Sequence, residues 1–426
     1  LKPLLGAIVL SLCVIGACRC ETLAAQTLAK ESGFPSQQQT ATIIHQAALV
    51  LDAHADIIPP GTTSPYAGAD GRSQVEPSKM RTGGVDAVVM SVAVGPGPRD
   101  AEGYRAAQKI ANEKLAGIQA IVADASNNAV IVRTADDLVS AHKAGKLAMI
   151  LGFQNARILG TDVAALDTFY EAGVRVFALT HMGHNDFADS SRPLFIAETN
   201  AHEPEAEHGG LSKLGVSAIE RINALGGVVD VSQLSKQATL QAIALSKAPV
   251  IASHSNVRAL SDVSRNLSDE EIDRIGASDG VIHVAPFRGY LFDSSDKELD
   301  AHIRAARRAA GVTEDYLYPF ELYWEIEDPE ARAAFTGAIS DLLGPGSLDV
   351  MLDHIDYIAK RIGVDHVGVG TDFNHGSKIK GFADASEALN VTVGLVERGY
   401  SASDIKKIWG ENFLRVFRAA ESLQSR

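Results

Sequence analysis

Ala48-Leu49-Val50-Leu51-Asp52-Ala53-His54-Ala55-Asp56 opens as an apolar run of strand length and closes on an imidazole and a carboxylate two residues apart. Side chains alternate along a strand, so His54 and Asp56 point the same way. The design recurs. Apolar runs follow at 85–94, 147–153, 174–179, 227–231, 249–252, 280–285 and 366–370, which with 48–52 makes eight. Amphipathic helical patterns separate most of them, at 104–123, 135–144, 163–172, 214–225, 236–245, 269–275 and 351–362. Near-continuous apolar strands with helical crossovers are what a parallel sheet buried on both faces requires. Eight such units favour closure into a (β/α)8 TIM barrel, an α/β fold. No glycine-rich dinucleotide fingerprint follows the first run, which counts against an open doubly wound sheet.

Two connections are long. Residues 185–210 are polar and rich in His, Glu and Pro, and are expected to form a loop over the barrel mouth. Residues 287–345 carry Tyr290, Tyr316, Tyr318, Phe320, Tyr323 and Trp324 among many charges, and predict a helical insertion rather than a bare loop. That insertion either walls a substrate pocket or packs its aromatic cluster against the barrel. Residues 22–47 give a polar lead-in and a first helix, and 402–422 predict a C-terminal helix with its apolar stripe facing the core.

The strand-like runs end again and again in polar side chains. The third ends at Gln154, the fourth at Thr180-His181, the fifth at Ser232-Gln233, the sixth at Ser253-His254-Ser255 and the eighth at Thr371-Asp372. In a closed barrel these ends converge on one cavity. Burying such groups without partners is costly, so together they predict an active-site constellation. Imidazole and carboxylate donors share a divalent ion readily, and metal-assisted hydrolysis fits the set: the ion activates water and a carboxylate takes its proton. His54, Asp56 and His254 are the candidate metal ligands, Asp372 the candidate general base, and His181 the candidate donor to a developing oxyanion. Arg265 offers a bidentate clamp for a substrate carboxylate, or a cap on the helix that begins at Ser268. His184, Asp186, His202, His208 and His375 are mouth-loop candidates for which local hydrogen bonding is the simpler role.

Composition narrows the partners. A formal net charge of −14 and the absence of a basic stripe disfavour nucleic acid. Cys13, Cys18 and Cys20 all lie at the start, so the body has neither a disulfide nor a cysteine zinc site. Lys2 and the apolar run 4–17 have the pattern of an export signal, which divides the chain into a leader, 1–20, and a single hydrolase domain, 21–426. Small residues ahead of Cys18 fit a lipid-bearing N-terminus; ordinary cleavage beyond it fits as well. No later segment has about 18 uninterrupted apolar residues, so no transmembrane span is expected in the mature chain. The expected location is the periplasm or, with the lipid, the membrane surface of a bacterial cell. The oligomeric state is left open, a homodimer included.

Taken in order, Asp52-Ala53-His54-Ala55-Asp56, Leu179-Thr180-His181, Ala188-Asp189-Ser190, Gly209-Gly210-Leu211-Ser212, Asp230-Val231-Ser232, Ala252-Ser253-His254-Ser255, Arg265-Asn266, Thr371-Asp372-Phe373 and Gly410-Glu411-Asn412-Phe413 resemble the membrane dipeptidase family of amidohydrolase-like barrels. The resemblance runs from about residue 45 to 418. It implies a zinc-dependent dipeptidase with a two-metal site. On it, His54 and Asp56 match first-metal ligands, His254 a second-metal ligand, His181 the oxyanion contact, Arg265 the substrate-carboxylate contact and Asp372 the catalytic aspartate. Two positions depart. Gln154 stands where the family has the glutamate that bridges both metals, and Gln233 where it has another second-metal histidine. A neutral amide holds cations less well than either, so one Zn2+ or other divalent ion is expected, with the second weak or absent. The leading expectation is hydrolysis of a dipeptide or related small amide. A catalytically silent peptide-binding protein and a hydrolase of another small amide or lactone stand as alternatives.

Overall fold

The computed structural model describes residues 35–196, 199, 201–321 and 326–424. The expected leader, 1–20, with Cys13, Cys18 and Cys20 lies outside the described residues, as do Tyr323 and Trp324. Among the described residues there are eleven strands: β1 Leu51–Asp56, β2 Ala87–Ala93, β3 Ala129–Val132, β4 Leu147–Gln154, β5 Val174–Ala178, β6 Phe195–Ile196, β7 Ala201–His202, β8 Val228–Asp230, β9 Ile251–Ala252, β10 Val281–Val284 and β11 Val367–Val369. Eight of them form one parallel array in the order β1-β2-β4-β5-β8-β9-β10-β11. The array closes on itself. Asp372 N donates to His54 O at 2.8 Å and Asp56 N to Phe373 O at 2.9 Å, joining the end of β1 to the segment after β11. This is the (β/α)8 barrel that the eight apolar runs predict, and every residue of those eight strands is buried.

Three departures from the sequence reading have local causes. First, β1 runs from 51 to 56 rather than 48 to 52, because its polar end takes part in the ladder that closes the barrel. Second, β3 is an additional strand outside the ring that pairs only with β4, from Ala129↔Leu147 to Val132↔Ile150. It is only four residues long and mostly half-buried, too short to stand out as an apolar run. Third, the expected C-terminal helix is interrupted. Ala402–Lys406 and Asn412–Glu421 are α-helical, but Lys407–Glu411 opens into a π turn. Gly410 lies there against Leu49, so close that a Cβ would come within 2.3 Å of Leu49 O. The wider turn seats Ile408 and Trp409 in the core, where Trp409 Nε1 donates to Thr392 Oγ1 at 2.8 Å.

The 287–345 insertion is helical, as expected, with helices Lys297–Ala309 and Pro329–Leu343 around a small core of Ile303, Ile326, Phe335 and Ile339. The 185–210 connection is not all loop. It carries the short antiparallel pair of β6 and β7, in which Phe195 faces His202.

Two buried aspartates tie neighbouring strand ends together. Asp52 accepts from His54 N and Thr371 N through Oδ1, and from Thr371 Oγ1 through Oδ2, at 2.6–3.1 Å, linking β1 to the end of β11. Asp230 does the same for β8 and β9: its Oδ1 accepts from Ser232 N and Ser253 N, its Oδ2 from Ser253 Oγ at 2.5 Å. Stripping one carboxylate leaves several buried donors unpaired, at about 1–3 kcal/mol each. Asp52→Ala should therefore lower unfolding stability by on the order of 3 kcal/mol in a urea titration.

Candidate metal centre at the barrel mouth

Closure of the barrel places the polar strand ends beside one another. His54 and Asp56 are 3% and 6% exposed, His254 is fully buried and Asp372 is 4% exposed. His54 Nε2 lies 3.8 Å from Asp56 Oδ1 and 3.9 Å from Asp372 Oδ1. Its ring stacks on His254, with centroids 3.9 Å apart. Asp56 Oδ2 accepts from His375 Nδ1 at 3.0 Å and has Lys114 Nζ at 3.8 Å. The other carboxylate oxygen, Asp56 Oδ1, is buried without a hydrogen-bond partner, and so are His54 Nε2, Gln154 Nε2, His181 Nδ1 and Arg265 Nε. Buried polar atoms are almost always paired, so orphan atoms gathered at one barrel mouth mark a place built for something else to bind.

Burial drives the titration of these groups. It pushes His54 down to about 4 against the pull of Asp56, and takes His181 and His254 well below the ordinary imidazole value. All three rings are thus neutral near pH 7, the form with a lone pair to give. Asp56 is also desolvated, but the charge of Lys114 and the hydrogen bond from His375 outweigh this and hold it well below the usual carboxylate range. Asp372 goes the other way. Burial, with the charge of Asp56 behind it, raises it to about 6, against the opposing His375 and Arg265.

One ligand atom from each of His54, Asp230 and His254 lies within 4.8 Å of the other two, a group able to hold a single divalent ion. Asp56 is not in that group; Asp230, to which sequence reasoning gave no role, is. The hydroxyl of Ser253 touches all three residues: Oγ is 2.7 Å from His254 Nδ1, 3.5 Å from His54 Nδ1 and 2.5 Å from Asp230 Oδ2. Gln233, in a left-handed conformation at φ 68°, puts Nε2 3.2 Å from His254 Nε2 and accepts at Oε1 from Arg192 Nη2 at 2.8 Å.

The motif order seen in the sequence has a counterpart among known proteins. Residues 38–426 match the family described as membrane dipeptidase, peptidase family M19. The chain belongs to the membrane dipeptidase family. This family member is 35% identical to the probable dipeptidase PvdM of Pseudomonas aeruginosa, over 91% of this chain and 99% of that one, with a TM-score of 0.80. It is 28% identical to dipeptidase tcpJ of Claviceps purpurea over 72% of this chain, and spans 59% of that relative's length. A metallopeptidase of Rhodobacter sphaeroides, solved with a phosphinate mimic of L-Ala-D-Ala, shares the fold at 20% identity and a TM-score of 0.66, over 88% of this chain and 99% of that one.

Around the dipeptidase-family centre, several groups named in the sequence occupy other positions. His181 is at the mouth, edge-on to His375 at 5.1 Å. Arg265 is buried and donates to Ser255 Oγ at 3.0 Å and to His254 O, while its guanidinium lies over the Tyr290 ring. Of the mouth-loop candidates, His375 alone reaches Asp56. His184 bonds Pro204 O, His208 bonds Asn185 O, His202 pairs with Glu321, and Asp186 pairs with Arg99 and Tyr104. Lys114 and Arg192 reach the centre without any motif to announce them: the first projects from the helix Ala101–Ala123, where a solvated face is the simplest reading, and the second from the long mouth connection. No helix among the described residues is long and apolar enough to cross a membrane.

Proposed function

We propose that this chain is a metal-dependent hydrolase of dipeptides or closely related small amides, using one divalent ion. The observation that carries this reading is the pair of orphan lone pairs, His54 Nε2 and Asp56 Oδ1, that face each other beside Asp372. Their donor set suits Zn2+ or a similar ion. We place the ion on this side, because the oxygens of Asp230 already accept three hydrogen bonds. An ion bound there supplies Lewis acidity to a water and to the scissile carbonyl.

The chain's own residues do the rest. Asp372, 3.9 Å from His54, takes the proton of the attacking water, and its raised pKa suits a base that must also release that proton to the leaving amine. His181 donates to the carbonyl oxygen as it becomes negative. Arg265, with Nε unpartnered, binds the substrate carboxylate. Gln154 and Gln233 take the positions of the bridging glutamate and a second-metal histidine, which leaves the second ion weak or absent. The Rhodobacter sphaeroides enzyme's dipeptide-mimic ligand supports the choice of substrate class. On the apolar run 4–17, we also propose that residues 1–20 export the domain.

Metal content and turnover of a dipeptide panel test this reading. About one equivalent of zinc, manganese or cobalt with turnover is expected; a protein that stays inactive with all three contradicts it. The acidic limb of kcat/KM should rise with pH as Asp372 loses its proton, with a midpoint at or below about 6, since a bound cation favours the carboxylate. A midpoint well above 7 would assign the base elsewhere.

One observation favours a silent binding protein instead. Gln154 Nε2, an amide donor with no partner, faces a centre where a charged ligand would serve catalysis better. Binding of small peptides without products would establish that alternative.

A further inference from the structure

We propose that Arg192 is a built-in cation that stands in for a second metal ion: acting through Gln233 it closes His254 to metal, leaving a centre of one ion and one guanidinium. The proposal rests on the one-ion reading above. It follows from the direction of each hydrogen bond. Arginine has donors only, so the 2.8 Å contact from Arg192 Nη2 to Gln233 Oε1 fixes which way the amide faces. The amide nitrogen is then the atom 3.2 Å from His254 Nε2, and it donates there. With Nε2 accepting, the ring proton sits on Nδ1 and goes to Ser253 Oγ at 2.7 Å. The serine proton passes on to Asp230 Oδ2 at 2.5 Å, and Asp230 Oδ1 is filled by two backbone N–H groups. Every polarity from Arg192 to Asp230 is thereby set from both ends.

The consequence for metal is direct. Neither nitrogen of His254 keeps a lone pair for a cation, and Gln233 Oε1 is held against a guanidinium. Arg192 is itself firmly held. It is 5% exposed, donates through Nη1 to Tyr290 Oη at 3.1 Å and lies over the Tyr318 ring. Its loop is fastened to the same glutamine, since Ser191 N donates to Gln233 O at 2.9 Å. A fixed positive charge in a buried site repels a further dication, where charges act strongly on each other. Gln233 is on this account a plug held by an arginine, not merely a weakened ligand, and Arg192 is a positioning residue.

Two measurements test it. In metal-free protein labelled with 15N-histidine, His254 should show a protonated Nδ1 and an accepting Nε2; the opposite tautomer overturns the proposal. Zinc titration of folded protein, monitored by thermal unfolding, should give one equivalent for wild type and one for the Gln154→Glu/Gln233→His double variant, in which Arg192 remains. Adding Arg192→Met to that pair should admit a second equivalent. A second equivalent in wild type or in the double variant overturns Arg192's role, as does a folded triple variant that stays at one. Wild type that binds no zinc at all would instead sink the one-ion reading, and the histidine tautomer would still decide the part of Arg192.

Discussion

Asp372→Asn should lower turnover by about 10²–10⁴-fold, the range spanned by a positioned general base, while bound metal and peptide affinity change little. The expectation comes from where the carboxylate sits. Asp372 has a left-handed backbone at φ 55°, in the segment that follows the last barrel strand, Val367–Val369, and its N–H is spent on His54 O in closing the barrel. That geometry leaves its carboxylate 3.9 Å from His54 Nε2, and Asn preserves both the backbone bond and the shape. What Asn removes is the ability to take a proton. The variant should also lose the acidic limb of the pH profile. Wild-type turnover in the variant would move the base to another group, with His375, 3.0 Å from Asp56, the first to examine.

His54→Ala is the second large effect. His54 belongs both to the group of three with Asp230 and His254 and to the open face with Asp56 and Asp372, so either placement of the ion loses a ligand. Metal affinity should fall by more than about 100-fold, since loss of supporting contacts to a ligand alone costs 10–100-fold. Turnover should vanish at metal concentrations that saturate wild type. The fold should survive, because the β1 ladder depends on backbone groups and on Asp52 rather than on the imidazole. Calorimetric metal titration beside circular dichroism separates the two. Wild-type metal affinity in a folded His54→Ala protein would show that the orphan nitrogen does not face a metal site.

The barrel was legible because its strands are buried on both faces, which leaves runs such as 147–153 and 174–179 with little polar interruption. What escaped are features decided by neighbours rather than by local pattern. β3 is a four-residue strand that exists only against β4, and the π turn at 407–411 answers to the close approach of Gly410 to Leu49. At the mouth the same division holds. His54, Asp56, His181, His254 and Asp372 announced themselves as polar groups ending apolar runs. Asp230 sits within a strand and gives no sign in sequence that it clamps β8 to β9. Lys114 and Arg192 arrive from a helix and a long connection, where a lone cation has no periodicity to distinguish it from a solvated one.

The central claim is that a single ion at the barrel mouth, beside Asp372, makes this chain a hydrolase. The most direct measurement is hydrolysis of a dipeptide panel by chelator-stripped protein during stepwise return of zinc or manganese. Turnover should be absent without metal and should rise to a plateau at about one equivalent per chain. Turnover that persists in rigorously stripped protein, or none with any metal on any dipeptide, would contradict the account.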